Sequence, residues 1–116
     1  MAKGGEPTGK EKGKDPGMAA RKKMNRAMFQ EWATGFGLLS DPTRLAALSI
    51  LARGPKNVTA LCNELGVRQP TASHHLKLLR MGRLVNGVRQ GKSVVYETEK
   101  KALKELASAL SKITPK

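Results

Sequence analysis

A glycine interrupts a helical pattern at Gly66, and the residues on either side of it constrain the fold more than any other part of the chain. Thr59 is suited to cap a helix running to Leu65, and Gly66 suits the left-handed residue that ends one. A second helix is expected to start at Arg68 or Gln69, to tolerate Pro70 in its first turn, and to run to about Met81. Two helices separated by so few residues around a glycine have the helix-turn-helix layout.

The flanking segments supply a frame for that pair. From Met18 to Leu39 the pattern is helical: Met24, Met28, Trp32 and Phe36 recur every four residues, with Arg21, Lys22, Lys23 and Arg26 elsewhere, while Gly35 and Gly37 weaken the last turn. The stripe is long and aromatic for one helix of a small core. Packing inside the protein and packing on a second subunit both account for it. A basic amphipathic membrane helix would look similar, but the apolar segments that follow argue against that reading. Asp41-Pro42 opens the next helix, with Leu45, Leu48 and Leu51 at apolar spacing, and Gly54-Pro55 closes it. Lys56-Asn57-Val58 reads as a short link.

After Gly82 the period changes. Leu84-Val85 and Val88, then Val94–Tyr96, form β-rich runs on either side of Gln90-Gly91-Lys92, which predicts a two-stranded hairpin. Asn86-Gly87 is the stronger turn dipeptide, but turning there would leave Val94–Tyr96 without a partner, so a bulge or kink is expected at that point. Glu99–Ile113 is a last helix, with Leu103, Leu106, Leu110 and Ile113 on one face. There are no internal repeats. The elements together predict a mainly α fold with a small β-hairpin (α+β), a winged helix-turn-helix.

The chain has 116 residues and a formal net charge of +13. Residues 1–17 are nearly devoid of apolar side chains and are expected to be a disordered tail, leaving 18–116 as one domain. Within the tail Lys3, Lys10, Lys12 and Lys14 are almost cancelled by Glu6, Glu11 and Asp15, so the basicity lies elsewhere. A small domain of this kind gains stability by associating, which makes a dimer the default expectation. The single cysteine, Cys62, allows no intramolecular disulfide and no cysteine-rich zinc finger. With no apolar leader and no run of membrane-spanning length, the expectation is a soluble cytoplasmic protein.

The excess charge is concentrated. From Val67 to Tyr96 stand Arg68, Lys77, Arg80, Arg83, Arg89 and Lys92, and no Asp or Glu. An ordinary solvated surface mixes signs, so thirty residues without a carboxylate point to a polyanionic partner. Projected at about 100° per residue, Ala72, Leu76 and Leu79 fall together as a core face. Ser73, His74 and Lys77 point the opposite way, and Thr71 and His75 lie on a flank. Gln69, Thr71, Ser73 and His74 carry suitable chemistry for base edges in a major groove. Arg68, Lys77, Arg80 and Arg83 suit phosphates, and Arg89, Gln90, Gly91 and Lys92 form a slim basic tip that suits a minor groove. Double-stranded DNA is therefore the expected partner. Alternatives are an RNA-binding basic protein, disfavoured by the lack of aromatic stacking platforms, and an architectural protein without sequence preference. Enzymatic function is not expected: Ser73 and His74 diverge on the helix, and no carboxylate nearby could orient them.

Three stretches, Leu39-Ser-Asp-Pro-Thr-Arg-Leu45, Val67-Arg-Gln-Pro-Thr-Ala-Ser-His-His-Leu-Lys-Leu-Leu79 and Gly91 amid paired β runs, resemble the ArsR/SmtB family of bacterial winged-helix repressors. The resemblance spans about residues 37–97. It implies a homodimer joined by the first and last helices, on an inverted-repeat operator near its own promoter. Met24, Met28 and Trp32 on the one helix, and Leu103, Leu106 and Leu110 on the other, would then lie at the interface. Carried over by position, Gln69, Thr71, Ser73 and His74 face bases and Arg89 and Lys92 belong to the wing. Arg68 departs from the small polar residue common at that helix start.

The metal-sensing signatures of the family are missing. Asn57-Val58-Thr59 stands where the thiolate signature has Cys-Val-Cys, and Cys62 matches only its auxiliary third cysteine. Glu97, Glu99 and Glu105 are present near the last helix, but no histidine follows His75. No metal and no cofactor are expected. Cys62 itself is read as a small buried apolar residue, with a redox-active thiol as the alternative.

Overall fold

The computed structural model describes residues 24–116. The expected tail at 1–17 and the start of the first expected helix at 18–23 lie outside the described residues. The described residues fall into two units, divided between Gln30 and Glu31. In the first, the Asn25 side-chain oxygen accepts the Met28 backbone N–H at 3.0 Å, satisfying a donor that a helix start leaves open.

The elements are α1 (Arg26–Leu38), α2 (Pro42–Leu51), β1 (Lys56–Asn57), α3 (Val58–Leu65), α4 (Gln69–Met81), β2 (Val85–Gln90), β3 (Ser93–Thr98) and α5 (Lys100–Ile113). The Asp41-Pro42 start of α2 is as expected: Asp41 is extended, its Oδ2 accepts the Arg44 backbone N–H at 3.0 Å, and Pro42 fills the first helical position.

The start of α3 differs from expectation. Asn57, not Thr59, is the cap, and its Oδ1 accepts the Ala60 backbone N–H at 2.8 Å. Asn57 can do this because its backbone is extended, and that same conformation makes Lys56–Asn57 a strand instead of a link. Lys56 pairs with Tyr96 and Asn57 with Val95, so the expected two-stranded hairpin is a three-stranded antiparallel sheet in the order β1-β3-β2. Gly66 closes α3 at φ 69°, donating its N–H to the Cys62 carbonyl at 2.8 Å.

The hairpin turns at Gly91-Lys92, with Gly91 at φ 62° and Gln90 paired to Ser93. Pairing runs unbroken through Asn86 with Glu97 and Gly87 with Tyr96, so the bulge or kink expected at Asn86-Gly87 is not there. Position 87 is instead tightly packed. A Cβ would stand 3.0 Å from Val94 Cγ1 and 3.4 Å from Tyr96 Cε1.

The core joins Ala47, Leu48 and Leu51 of α2, Leu61 of α3, Leu76 and Leu79 of α4, Leu84 and Val85 at the entry to β2, and Leu106 of α5. Each leucine buried this fully contributes roughly 1.5–3 kcal/mol. Leu45 of α2, expected on the apolar face, is exposed, because Ala47 and Leu48 carry the inward face. Leu106 presses on Gly35, where an added Cβ would meet its side chain at 2.7 Å. The glycine that weakens the end of α1 thus permits the approach of α5. Leu106, which the resemblance implies at a subunit interface, is buried in the protomer's core, with Leu103 packed against that core. No helix among the described residues is long and apolar enough to cross a membrane.

Candidate nucleic-acid interface

The second helix of the pair, α4, separates its faces cleanly. Ala72, Leu76 and Leu79 are 1, 1 and 0% exposed, while Gln69, Thr71, Ser73, His74, Lys77 and Arg80 are all exposed. Arg68, extended at the cap position, makes no side-chain capping bond and is also exposed. No acidic residue occupies the first turn, so nothing offsets the positive end of the helix dipole there.

Turn geometry carries the chain from α4 into the wing. Gly82 ends the helix and Arg83 follows at φ 62°, a left-handed conformation for a residue with a side chain. The Leu84 N–H reaches the Leu79 carbonyl at 2.9 Å and the Arg83 N–H reaches that of Arg80 at 3.0 Å, the two bonds of a Schellman ending. Arg80 turns back toward the wing. Its guanidinium carbon lies 3.7 Å from where a Cβ at Gly87 would stand. At the far end of the hairpin Arg89, Gln90, Gly91 and Lys92 are exposed together.

Carboxylates near this basic run are held by other partners. Glu64 accepts from Arg53 at 2.6 Å and pairs with Lys56 at 3.0 Å. The Lys56 bond, aided by the charges of Lys56 and Arg53, holds its carboxyl below the usual range against the opposing effect of burial. Glu99 accepts from the Asn86 side chain at 2.5 Å. Two of the carboxylates that flank the run without acids, Glu64 and Glu99, are thus engaged by other side chains.

One group of functional interest has little signature in the sequence. His75, expected only to lie on a flank, is half-buried, and its Nδ1 lies 3.3 Å from Arg44 Nη1 of α2 and 3.9 Å from Asp41 Oδ2. A guanidinium can only donate, so in this contact Arg44 is the donor and His75 Nδ1 the acceptor. Arg44 also donates from Nε to the Leu38 carbonyl at 2.7 Å. The Arg44 backbone N–H is the main cause of the lowered Asp41 pKa; burial opposes it and the Arg44 charge adds to it. Asp41 and Arg44, three apart at a helix start, are legible as a cap; their meeting with a residue 31 positions away is not.

The residues expected at a dimer interface are distributed unevenly. Met24 is 59% and Leu110 54% exposed, and Met28 is half-buried. Trp32 is half-buried, with Lys112 Nζ 5.6 Å from its ring centroid. Cys62 is half-buried on α3. No group of three or more His, Cys, Asp or Glu among the described residues is placed to hold a metal ion.

A helix-turn-helix whose second helix exposes a polar, basic face, followed by a basic-tipped hairpin, defines a winged helix-turn-helix domain. Residues 41–87 match the model of the arsR family of bacterial regulatory proteins. The chain is 45% identical over 58 residues to the HTH-type transcriptional regulator NmtR of Mycobacterium tuberculosis, an overlap of 50% of this chain and 48% of NmtR. It is 33% identical over 84 residues to the nodulation protein NolR of Rhizobium meliloti, covering 72% of this chain and 69% of NolR. A homodimeric winged helix-turn-helix DNA-binding domain from Mycobacterium bovis superposes with a TM-score of 0.67 at 27% identity, over 81% of this chain and 88% of that one. The chain belongs to the ArsR family. It spans about half the length of NmtR and of two further curated relatives that it matches.

Proposed function

We propose that the chain is a transcriptional regulator, a repressor, that binds double-stranded DNA in a sequence-specific way as a homodimer. One observation carries this reading above the others: Ser73, His74 and Lys77 stand exposed opposite the buried Ala72–Leu76–Leu79 face, within thirty residues that contain no carboxylate. In this reading Gln69, Thr71, Ser73 and His74 meet base edges from the N-terminal part of α4, as the second helix of such a pair does. Arg68, Lys77, Arg80 and Arg83 neutralise phosphates and fix register, and the tip at Arg89–Lys92 follows the adjacent minor groove. The cytoplasm, where genomic DNA is read, is the place of action.

Dimerisation supplies the second half-site. Met24, Met28, Trp32, Leu103 and Leu110 form the proposed interface from the first and last helices, with Leu106 supporting it from within the protomer. The homodimeric Mycobacterium bovis relative supports a dimer. Two-fold symmetry in the protein requires an inverted repeat in the DNA.

Footprinting of the purified chain on genomic DNA at two salt concentrations tests the reading. The expected result is protection of an inverted repeat, a preference over unrelated duplex of about 10³ or more, and affinity that falls steeply with salt. Equal affinity for every duplex would instead assign the same basic face to an architectural role. A preference for single-stranded RNA would overturn the reading.

A further inference from the structure

We infer that Arg44 is a positioning residue for α4, acting through His75, and that this linkage sets how Ser73 and His74 are presented to a duplex. The inference rests on the DNA-reading proposal above. Arg44 joins three elements. Its backbone N–H belongs to the Asp41 cap at the start of α2, its Nε holds the Leu38 carbonyl at the end of α1 at 2.7 Å, and its Nη1 meets His75 Nδ1 on α4 at 3.3 Å. The carbonyls at the end of a helix have no intrahelical partner, so the bond to Leu38 satisfies a group that would otherwise need water.

The same end of α1 touches α4 a second time, because the Leu38 side chain seats against Gly82 at the helix terminus. The buried face of α4, Ala72, Leu76 and Leu79, already holds the helix against the core, and the contacts at its edge refine its rotation. Two attachments, at His75 and at Gly82, resist both roll and tilt. A roll of α4 would redirect its exposed side, where Ser73 and His74 stand. The two residues precede His75 directly, so the linkage acts on the turn that carries them. Arginine suits this place because its planar fork offers donors on different nitrogens to two acceptors at once, which an ammonium on a flexible stem does not.

Three variants test the role: His75→Leu keeps bulk and removes the acceptor, His75→Asn keeps an acceptor close to the position of Nδ1, and Arg44→Lys keeps the charge and loses the fork. Each is measured for affinity to a duplex selected by the wild-type chain from a randomised library and to a scrambled duplex, with the urea midpoint recorded alongside. His75→Leu and Arg44→Lys should lower the ratio of specific to non-specific affinity by about five- to tenfold, the scale of one lost hydrogen bond, while scrambled-duplex affinity holds. His75→Asn should recover most of the ratio, and the double variant Arg44→Lys/His75→Leu should be no worse than the weaker single variant. A loss that follows the urea midpoint and is not recovered by His75→Asn would make the linkage merely structural and overturn the inference. Full preference in both His75→Leu and Arg44→Lys overturns the positioning role alone. A wild-type chain that selects no duplex overturns the DNA-reading proposal, and this inference with it.

Discussion

The Leu38 side chain, at the end of α1, lies against the bare Cα of Gly82, in space that a Cβ would occupy. An added Cβ at 82 would have to displace the end of the Leu38 side chain, although the Gly82 φ of −84° is one that any residue adopts. Gly82→Ala should destabilise the fold by about 1–3 kcal/mol, the range for overpacking a filled site. Urea denaturation measures this, with the midpoint expected to fall at unchanged slope. Leu38→Ala in the same background should restore part of the loss.

The residue after it carries the strain. With glycine committed to position 82, Arg83 adopts the left-handed conformation at φ 62°, which costs a side-chain-bearing residue roughly 1–2 kcal/mol. Arg83→Gly should raise or preserve the urea midpoint. If Arg83 also neutralises a phosphate, the same variant should reduce the magnitude of the log–log salt slope of DNA binding by about 1. A more stable variant with an unchanged slope would remove Arg83 from the phosphate contacts.

Base-reading and phosphate-holding residues should separate in selection experiments. Gln69→Ala and His74→Ala should cost about 1–3 kcal/mol at particular base positions and relax preference there. Lys92→Ala should weaken binding to every duplex alike and flatten the salt dependence. Identical base preferences in all three variants would refute the division of roles.

Two carboxylates tie stability to acidity in the same direction. Asp41 and Glu64 are held below their ordinary values of 3.8 and 4.5, Asp41 mainly by the Arg44 backbone N–H and Glu64 mainly by Lys56. A group whose folded value is depressed contributes its full stabilisation above the unfolded value and loses it as pH falls through the folded one. Stability should therefore be flat at neutral pH with respect to these groups and decline below about pH 4.5, first through Glu64 and then through Asp41. Glu64→Gln and Asp41→Asn should each flatten part of that acid limb in urea titrations run from neutral pH downward. Asp41→Asn keeps a capping oxygen, so it should fold more stably at neutral pH than Asp41→Ala.

The legible part of the molecule is the part written in local rules. Asp41-Pro42 opens a helix, Gly66 closes one in a left-handed turn, and Ala72, Leu76 and Leu79 share a face because helical periodicity allows nothing else. The turn at Gly91 was legible because two β-rich runs needed each other as partners. Lys56–Asn57 left no such trace: a two-residue strand has no alternation to read, and its pairing depends on β3, some forty residues later. The packing of Leu106 in the protomer's core was illegible for a related reason. An apolar stripe says that a face is covered without saying by what, and Gly35, read only as a weak spot in α1, is what lets Leu106 pack within the protomer.

By itself the sequence determined the helix-turn-helix spacing, the inward and outward faces of α4, and the carboxylate-free basic run, since each follows from the geometry of one element or from charge alone. Only the tertiary structure decided that Arg44 holds both Leu38 and His75, that Gly82 yields its space to Leu38, and that Arg83 takes the strained conformation instead. Those contacts join residues between 6 and 44 positions apart, beyond the reach of any local periodicity. Close packing brings them together, and no pattern in the chain announces a contact that exists only once three helices have met.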